Sequence, residues 1–321
     1  MSSKLKTSSE RFDWIDWVKG ISILLIIFNH ISEELFGGAH YGNPNIGWPS
    51  LNERIAQLAP LPIDGLRGIV ANVVRYGGWI GEQAVTVFII MTGIGLTLSS
   101  LLHGPSIDWR TYLKSRFTRI LPIWIVAHLL ILLPPALLGY RVSVAHPEFY
   151  LSLPGIRLDH HQVYYGIPAW WYVSLLLQLY LIFPIVYSGF KSYGRNQALI
   201  VFVTLGFVCR FAGLMLLREN LDAWSRGTIC VSRLAEFAFG IWFGFLIFNA
   251  EHATLNRLRS PRAIGIAIGS WLVGSTLGLT LWGMTFFCFV TGVAGFVLLY
   301  AMMTASLGAR LFRSISPVLS W

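Results

Sequence analysis

Charged residues are scarce in this chain, at 12% of its 321 residues, whereas soluble domains carry about a quarter. Apolar residues make up 55%, and several runs approach the roughly 20 residues needed to cross a bilayer. A large soluble domain is excluded, because the apolar surface is needed for lipid contact and helix packing. The sequence therefore predicts an all-α polytopic membrane protein with a single membrane domain over residues 1–321.

Several chemical signatures are missing. The chain has no phosphate-cradling glycine loop and no Gly-x-Ser-x-Gly elbow, which argues against P-loop and α/β-hydrolase chemistry. The three cysteines lie in apolar runs without paired spacing, so they predict neither disulfides nor a metal site: Cys209, Cys230 and Cys288. Three histidines lack the spacing of a zinc site, and we expect no metal: His146, His160 and His161.

The net charge of +9 does not indicate a nucleic-acid partner. The positive charges lie in short loops, where they set the orientation of membrane spans. The first ten residues are polar, and the apolar stretch after them lacks a small-residue cleavage site. This first apolar stretch is therefore predicted to remain as a membrane anchor.

Eight segments are predicted to cross the membrane. They cover residues 17–36, 79–102, 117–138, 169–188, 197–217, 228–249, 263–282 and 284–306. The stretches 37–78 and 139–168 are rich in turn-forming residues, which favours ordered loops on one side. With the N-terminus in the cytoplasm, fifteen of the 24 Lys and Arg residues lie inside and eight outside. This bias predicts a cytoplasmic N-terminus.

Lys19 and His30 stand at the two ends of the first apolar run, with ten residues between them. On a helix this spacing places both on one face, roughly 16 Å apart along the axis. Ionisable side chains within a span are functional candidates, and a neutral His30 could take a proton from a hydroxyl. Alternatively, His30 is a structural residue, and Lys19 snorkels to the interface beside Asp16.

Arg116 and Arg119 stand three residues apart before an apolar run, so they share one face of a helix at the cytoplasmic side. Two such guanidinium groups can grip phosphate oxygens. The other interpretation is a pair of positive-inside anchors. Further candidates for lining a substrate site, or for pairing with one another, are intramembrane or at a span end: Asp16, Glu82, Trp171, Arg210, Arg233 and Glu236.

Five segments form an ordered set along the chain. They are Arg11-Phe-Asp-Trp-Ile-Asp16-Trp-Val-Lys19-Gly20 closed by His30, the run from Gly81 to Gly93, Arg116-Phe-Thr-Arg119, the run from Trp171 to Pro184, and Arg233-Leu-Ala-Glu236-Phe237-Ala-Phe-Gly240. Together they resemble the acyltransferase-3 family of integral membrane acyltransferases. Each motif alone is common, whereas five in the right order are specific.

The resemblance implies transfer of an acyl group, often acetyl, from cytoplasmic acyl-CoA to a hydroxyl of a sugar or glycan, in the inner membrane of a bacterium. Arg116 and Arg119 would bind the phosphates of acetyl-CoA. Lys19 would join them or orient the thioester. His30 would deprotonate the acceptor hydroxyl or relay the acyl group. Membrane lipid is the other expected partner; a metal and nucleic acid are not expected.

The chain departs from the family pattern at three places. Thr92 and Leu176 stand where many members carry Ser and Glu. The chain stops at Trp321, where a further helix is expected, so two of the family's roughly ten spans are expected to be missing. A transporter or flippase of a lipid-linked sugar would use the same intramembrane charges as a pathway, and a structural membrane subunit is the third interpretation.

Overall fold

The structure, a computed structural model, describes residues 13–36, 47–103, 108–133 and 144–305. Its α-helices, in chain order, are α1 Asp13–Phe36, α2 Leu51–Leu58, α3 Gly65–Leu102, α4 Trp109–Leu130, α5 Pro147–Ser152, α6 His160–Tyr164, α7 Trp171–Tyr193, α8 Arg195–Leu216, α9 Leu221–Arg226, α10 Leu234–Phe248, α11 His252–Leu258, α12 Pro261–Leu277 and α13 Met284–Thr304. Short 3-10 turns lie at Pro168–Trp170, Arg218–Asn220 and Cys230–Arg233. The described part contains no β-strand, so the all-α prediction is confirmed.

Six helical segments are long and apolar enough to cross a membrane: Trp14–Phe36, Gly65–Leu102, Trp171–Tyr193, Arg195–Leu216, Cys230–Phe248 and Met284–Thr304. The other two predicted spans are also helical over most of their length. Helix α4 carries Arg116 and Arg119 in its first half, and α12 has only 17 residues. Length and composition therefore single out six of the eight predicted spans in the described residues.

The predicted loop 37–78 is in part wrong. Within its described residues it contains α2, and α3 begins at Gly65, well before the predicted start of the second span. Gly78 of the predicted loop, and Gly81 at the start of the predicted second span, lie where α3 crosses α1. A side chain on Gly81 would overlap the backbone carbonyl of Leu25, and one on Gly78 would overlap Ser32. Small residues allow such close helix packing in membranes.

Helix α3 is the centre of the bundle. It packs against α1, α10 and α13, and α8 packs on the far side of α10. Phe237, Ile241 and Phe243 of α10 are fully buried in the two main apolar clusters. Because α1 runs antiparallel to α3, the C-terminal half of α1 lies beside the N-terminal half of the predicted second span.

Arg210 is a structural residue. It is 1% exposed and donates to the carbonyl oxygens of Met284 at 2.9 Å, Ser232 at 3.2 Å and Ser225 at 2.6 Å. These carbonyls belong to the turns where α9, α10 and α13 begin or end. Backbone carbonyls that are buried within a membrane need hydrogen-bond donors from the protein itself. The side chain of Arg210, a predicted intramembrane charge, supplies these donors and thereby joins three chain segments.

Residues 144–170 fold over the ends of α4 and α7 around Arg157, which is 0% exposed. Its guanidinium donates to Ser152 Oγ at 2.8 and 3.0 Å and to the carbonyl oxygen of Val163 at 3.3 Å. His128 Nε2 lies 2.7 Å from the same Ser152 Oγ. Burial lowers the pKa of Arg157 to about 10, which still leaves a cation at neutral pH. The guanidinium also lies over the ring of Trp170.

Candidate active site

His30 lies on the wall of a cavity of about 260 Å³ between α1, α3 and α7. The side chain of His30 is 41% exposed, so the imidazole is accessible from this cavity. The wall also contains residues from the turns around α9, and its other members are Ile23, Ile26, Ile27, Asn29, Glu82, Val85, Phe88, Ala169, Trp171, Tyr172, Arg226 and Arg233. The cavity thus has a polar side around His30 and an apolar side along α1 and α3.

Ionic contacts fix the polar side. His30 Nδ1 lies 3.1 Å from Glu33 Oε2, and Arg226 Nη1 lies 3.6 Å from Glu33 Oε1. The backbone carbonyl of Arg226 in turn accepts a hydrogen bond from Arg233. Arg233 also donates to Thr86 Oγ1 at 3.0 Å and pairs with Glu236 at 3.4 Å. The predicted Arg233–Glu236 pair is therefore present, and it belongs to a network that reaches α1 and α3.

Arg116 and Arg119 line a second cavity, of about 310 Å³. Arg116 Nη2 donates to Ser99 Oγ at 3.0 Å, and its guanidinium carbon lies 5.5 Å from the ring centre of Tyr112. The remaining wall residues are Ser100, His103, Asp108, Thr111 and Ser115. Two guanidinium groups together with several hydroxyls suit a phosphorylated ligand.

Asp108 is part of the wall of this second cavity. Its carboxylate accepts hydrogen bonds from the Thr111 hydroxyl and from the backbone N–H of Arg110, which caps the start of α4. These donors stabilise the ionised form and lower the pKa of Asp108. The residue therefore remains a carboxylate at neutral pH, bound to its own helix.

The two cavities lie at opposite ends of one stretch of α3. Phe88 lines the first cavity and Ser99 the second, and eleven residues of helix span roughly 16 Å. Helix α7 follows the same course: Tyr172 lines the first cavity, and Tyr180 interacts electrostatically with both Arg116 and Arg119. Helices α3 and α7 therefore run past both cavities.

A comparison with protein families decides the identity of the chain. The model of the acyltransferase-3 family, described as an acyltransferase domain, matches residues 12–319. The chain belongs to the acyltransferase-3 family. It is a multi-pass membrane acyltransferase, as the ordered motifs predict. No curated protein and no solved structure gives a match.

Of the residues predicted for the acyltransferase site, Glu82, Trp171 and Arg233 lie on the wall of the His30 cavity. Glu236 lies behind Arg233 and is 2% exposed. Lys19 is half-buried and Asp16 is exposed, and neither belongs to the described wall of either cavity. The roles of all these residues stay predictions.

Sequence reasoning missed Glu33, Arg226 and Tyr172 as wall or network residues. The contact of Glu33 with His30 could have been predicted from the sequence, because Glu33 follows His30 by three positions and so shares its helix face. The position of Arg226 could not have been predicted, since Arg226 reaches the site only through the fold of the short α9. Trp170, which precedes Trp171, packs on His128, with the two ring centres 4.5 Å apart.

A metal site was not expected. Within residues 13–36, 47–103, 108–133 and 144–305, no three His, Cys, Asp or Glu side chains form a group that could hold a metal ion. His146 lies 3.8 Å from Glu148 at the start of α5. The three cysteines are free thiols, partly or fully buried, in agreement with the prediction that they form no disulfide.

Proposed function

We propose that this membrane acyltransferase moves an acyl group, in the first instance acetyl, from cytoplasmic acyl-CoA to a hydroxyl of a cell-surface sugar or glycan in a bacterial inner membrane. One observation carries the proposal. A histidine-lined cavity and an arginine-lined cavity lie along the same helix, α3, and their nearest wall residues on it, Phe88 and Ser99, are roughly 16 Å apart.

The arginine-lined cavity is the proposed donor site. Arg116 and Arg119 bind phosphate oxygens of the donor, and Tyr112 and Ser99 lie beside them. The Tyr112 hydroxyl is buried beside the Arg116 guanidinium. Lys19 does not belong to this wall.

The histidine-lined cavity is the proposed site of chemistry. His30 takes the proton of the acceptor hydroxyl while the hydroxyl oxygen attacks the thioester carbonyl carbon. The new C–O bond forms, the C–S bond breaks, and the proton passes from His30 to the leaving thiolate of CoA. Relay of the acyl group through His30 is the other route, and it would leave a transient acyl-imidazole.

The acceptor is proposed to enter beside Trp171 and Glu82. An aromatic face next to carboxylate and amide groups suits a sugar, because the ring packs on C–H groups and the polar groups bind hydroxyls. Asn29 supplies the amide in this wall. Ala169, near the end of residues 144–170, also lines this wall.

The experiment is release of CoA thiol from acetyl-CoA by inverted membrane vesicles from bacteria that express the protein. His30→Ala is expected to abolish the release above background, with thermal unfolding near that of the unsubstituted protein. His252→Ala, which changes an exposed histidine on α11, is the matched control and should keep full activity.

Three outcomes would contradict the proposal. Release that does not depend on His30 would remove the histidine from the chemistry. Movement of a lipid-linked sugar across the membrane with the thioester intact would indicate the carrier interpretation instead. Loss of folding in His30→Ala would support a structural histidine.

A further inference from the structure

Glu33 contacts the side of His30 that the acyl-transfer step does not use. Its Oε2 lies 3.1 Å from His30 Nδ1, one helical turn further along α1. An ionised carboxylate only accepts hydrogen bonds, so the proton of the neutral imidazole sits on Nδ1. This places the lone pair on Nε2, the nitrogen that remains for the acceptor hydroxyl.

Arg226 holds the other oxygen of the same carboxylate. Its Nη1 lies 3.6 Å from Glu33 Oε1, and the side chains of Arg226 and Glu33 are only 11% and 18% exposed. His30 and Arg226 contact Glu33 from different helices, α1 and α9. Glu33 is therefore fixed by a group from across the cavity as well as by its own helix.

We propose that Glu33 is a positioning residue for His30, and that Arg226 holds Glu33 in place for this task. The inference rests on the proposed function, because it assigns a role to a neighbour of the proposed base. Glu33 touches neither the acceptor nor the thioester, and it acts only through the imidazole.

The arrangement has two consequences for the transfer step. The hydrogen bond selects the tautomer of His30 that can accept a proton on Nε2. When Nε2 takes that proton, the imidazolium is paired with the Glu33 carboxylate, which stays ionised throughout. The proton then leaves from Nε2 to the thiolate of CoA, and His30 returns to its starting tautomer.

A simpler explanation is that His30 and Glu33 form an ordinary helix-surface pair. That explanation gives Glu33 no influence on turnover. It also gives no reason for Arg226 to contact the second oxygen. Two further charged groups line the same cavity, Glu82 of α3 and Arg233 of the turn before α10.

The test compares Glu33→Gln with Glu34→Gln in the CoA-release assay. Glu34 is the next residue on α1 and is exposed, so it is a matched control. We expect Glu33→Gln to lower kcat about 10²-fold and to leave the KM for acetyl-CoA unchanged, whereas Glu34→Gln behaves like the unsubstituted protein.

Arg226→Lys is expected to reduce kcat less than Glu33→Gln does. If Glu33→Gln unfolds at a lower temperature as well, Glu33→Asp decides the question, because it keeps the charge at a shorter reach and should recover part of kcat. Equal kcat for Glu33→Gln and Glu34→Gln would overturn the inference, as would a rise in KM at constant kcat.

The two proposals fail in different ways. An unsubstituted protein without His30-dependent thiol release would overturn the proposed function and this inference with it. A protein that shows such release and is unaffected by Glu33→Gln would overturn only the positioning role of Glu33.

Discussion

Gly81 of α3 lies directly against the backbone carbonyl of Leu25 in α1, with no room for a side chain between them. The next residue on α3 is Glu82, and five residues after Leu25 comes His30; both face the same cavity. The contact between these two helices therefore sets the width of the proposed site of chemistry.

Gly81→Ala should separate α1 from α3 and thereby lower both stability and activity. Overpacking of this kind typically costs about 1–3 kcal/mol. The measurements are the thermal unfolding midpoint in detergent and CoA-thiol release. Gly95→Ala is the control on the same helix, because a side chain there meets open space, and it should be neutral or slightly stabilising. Equal behaviour of the two variants would contradict the close contact.

Arg116→Ala and Arg119→Ala should weaken donor binding more than acceptor binding. The loss of one charge-assisted contact to a phosphate costs about 1.5–3 kcal/mol, so the KM for acetyl-CoA should rise by roughly one to two orders of magnitude. Arg110→Ala removes an equal charge from an exposed position at the start of α4. The control should bind the donor normally, and equal damage to donor and acceptor binding would indicate a scaffold role for the arginines.

Arg157→Ala should loosen residues 144–170. The substitution leaves buried acceptors on Ser152 and Val163 without their donor, and each such loss costs about 1–3 kcal/mol. Protease cleavage within 144–170 and a lower unfolding midpoint are the expected results. Arg218→Ala, at an exposed position, should show neither effect, and a stable Arg157→Ala variant would show that the segment is held by other contacts.

The composition was sufficient to predict the helical membrane class, because bilayer-spanning apolar runs admit few other folds. The family could also be predicted from the order of the five motifs. Helix boundaries could be predicted less well from the sequence, as the early start of α3 shows. Glycines favour loops in general, and only the neighbouring helix reveals that Gly78 and Gly81 allow close packing.

The sequence by itself determined which residue types were available for chemistry. His30 follows an apolar run, Arg116 and Arg119 share a helix face, and Glu33 lies one turn from His30, all of which depends on local helical spacing. Local spacing says nothing about groups that are distant along the chain.

Only the tertiary structure decided which groups meet. It brought Arg226 to Glu33 across about 190 residues of chain, placed Trp171 and Glu82 in the same cavity as His30, and left Lys19 outside both cavity walls in the described chain. The physical reason is that such contacts depend on how the helices pack against one another, and this packing is set by many weak side-chain contacts along α3 that no single motif records.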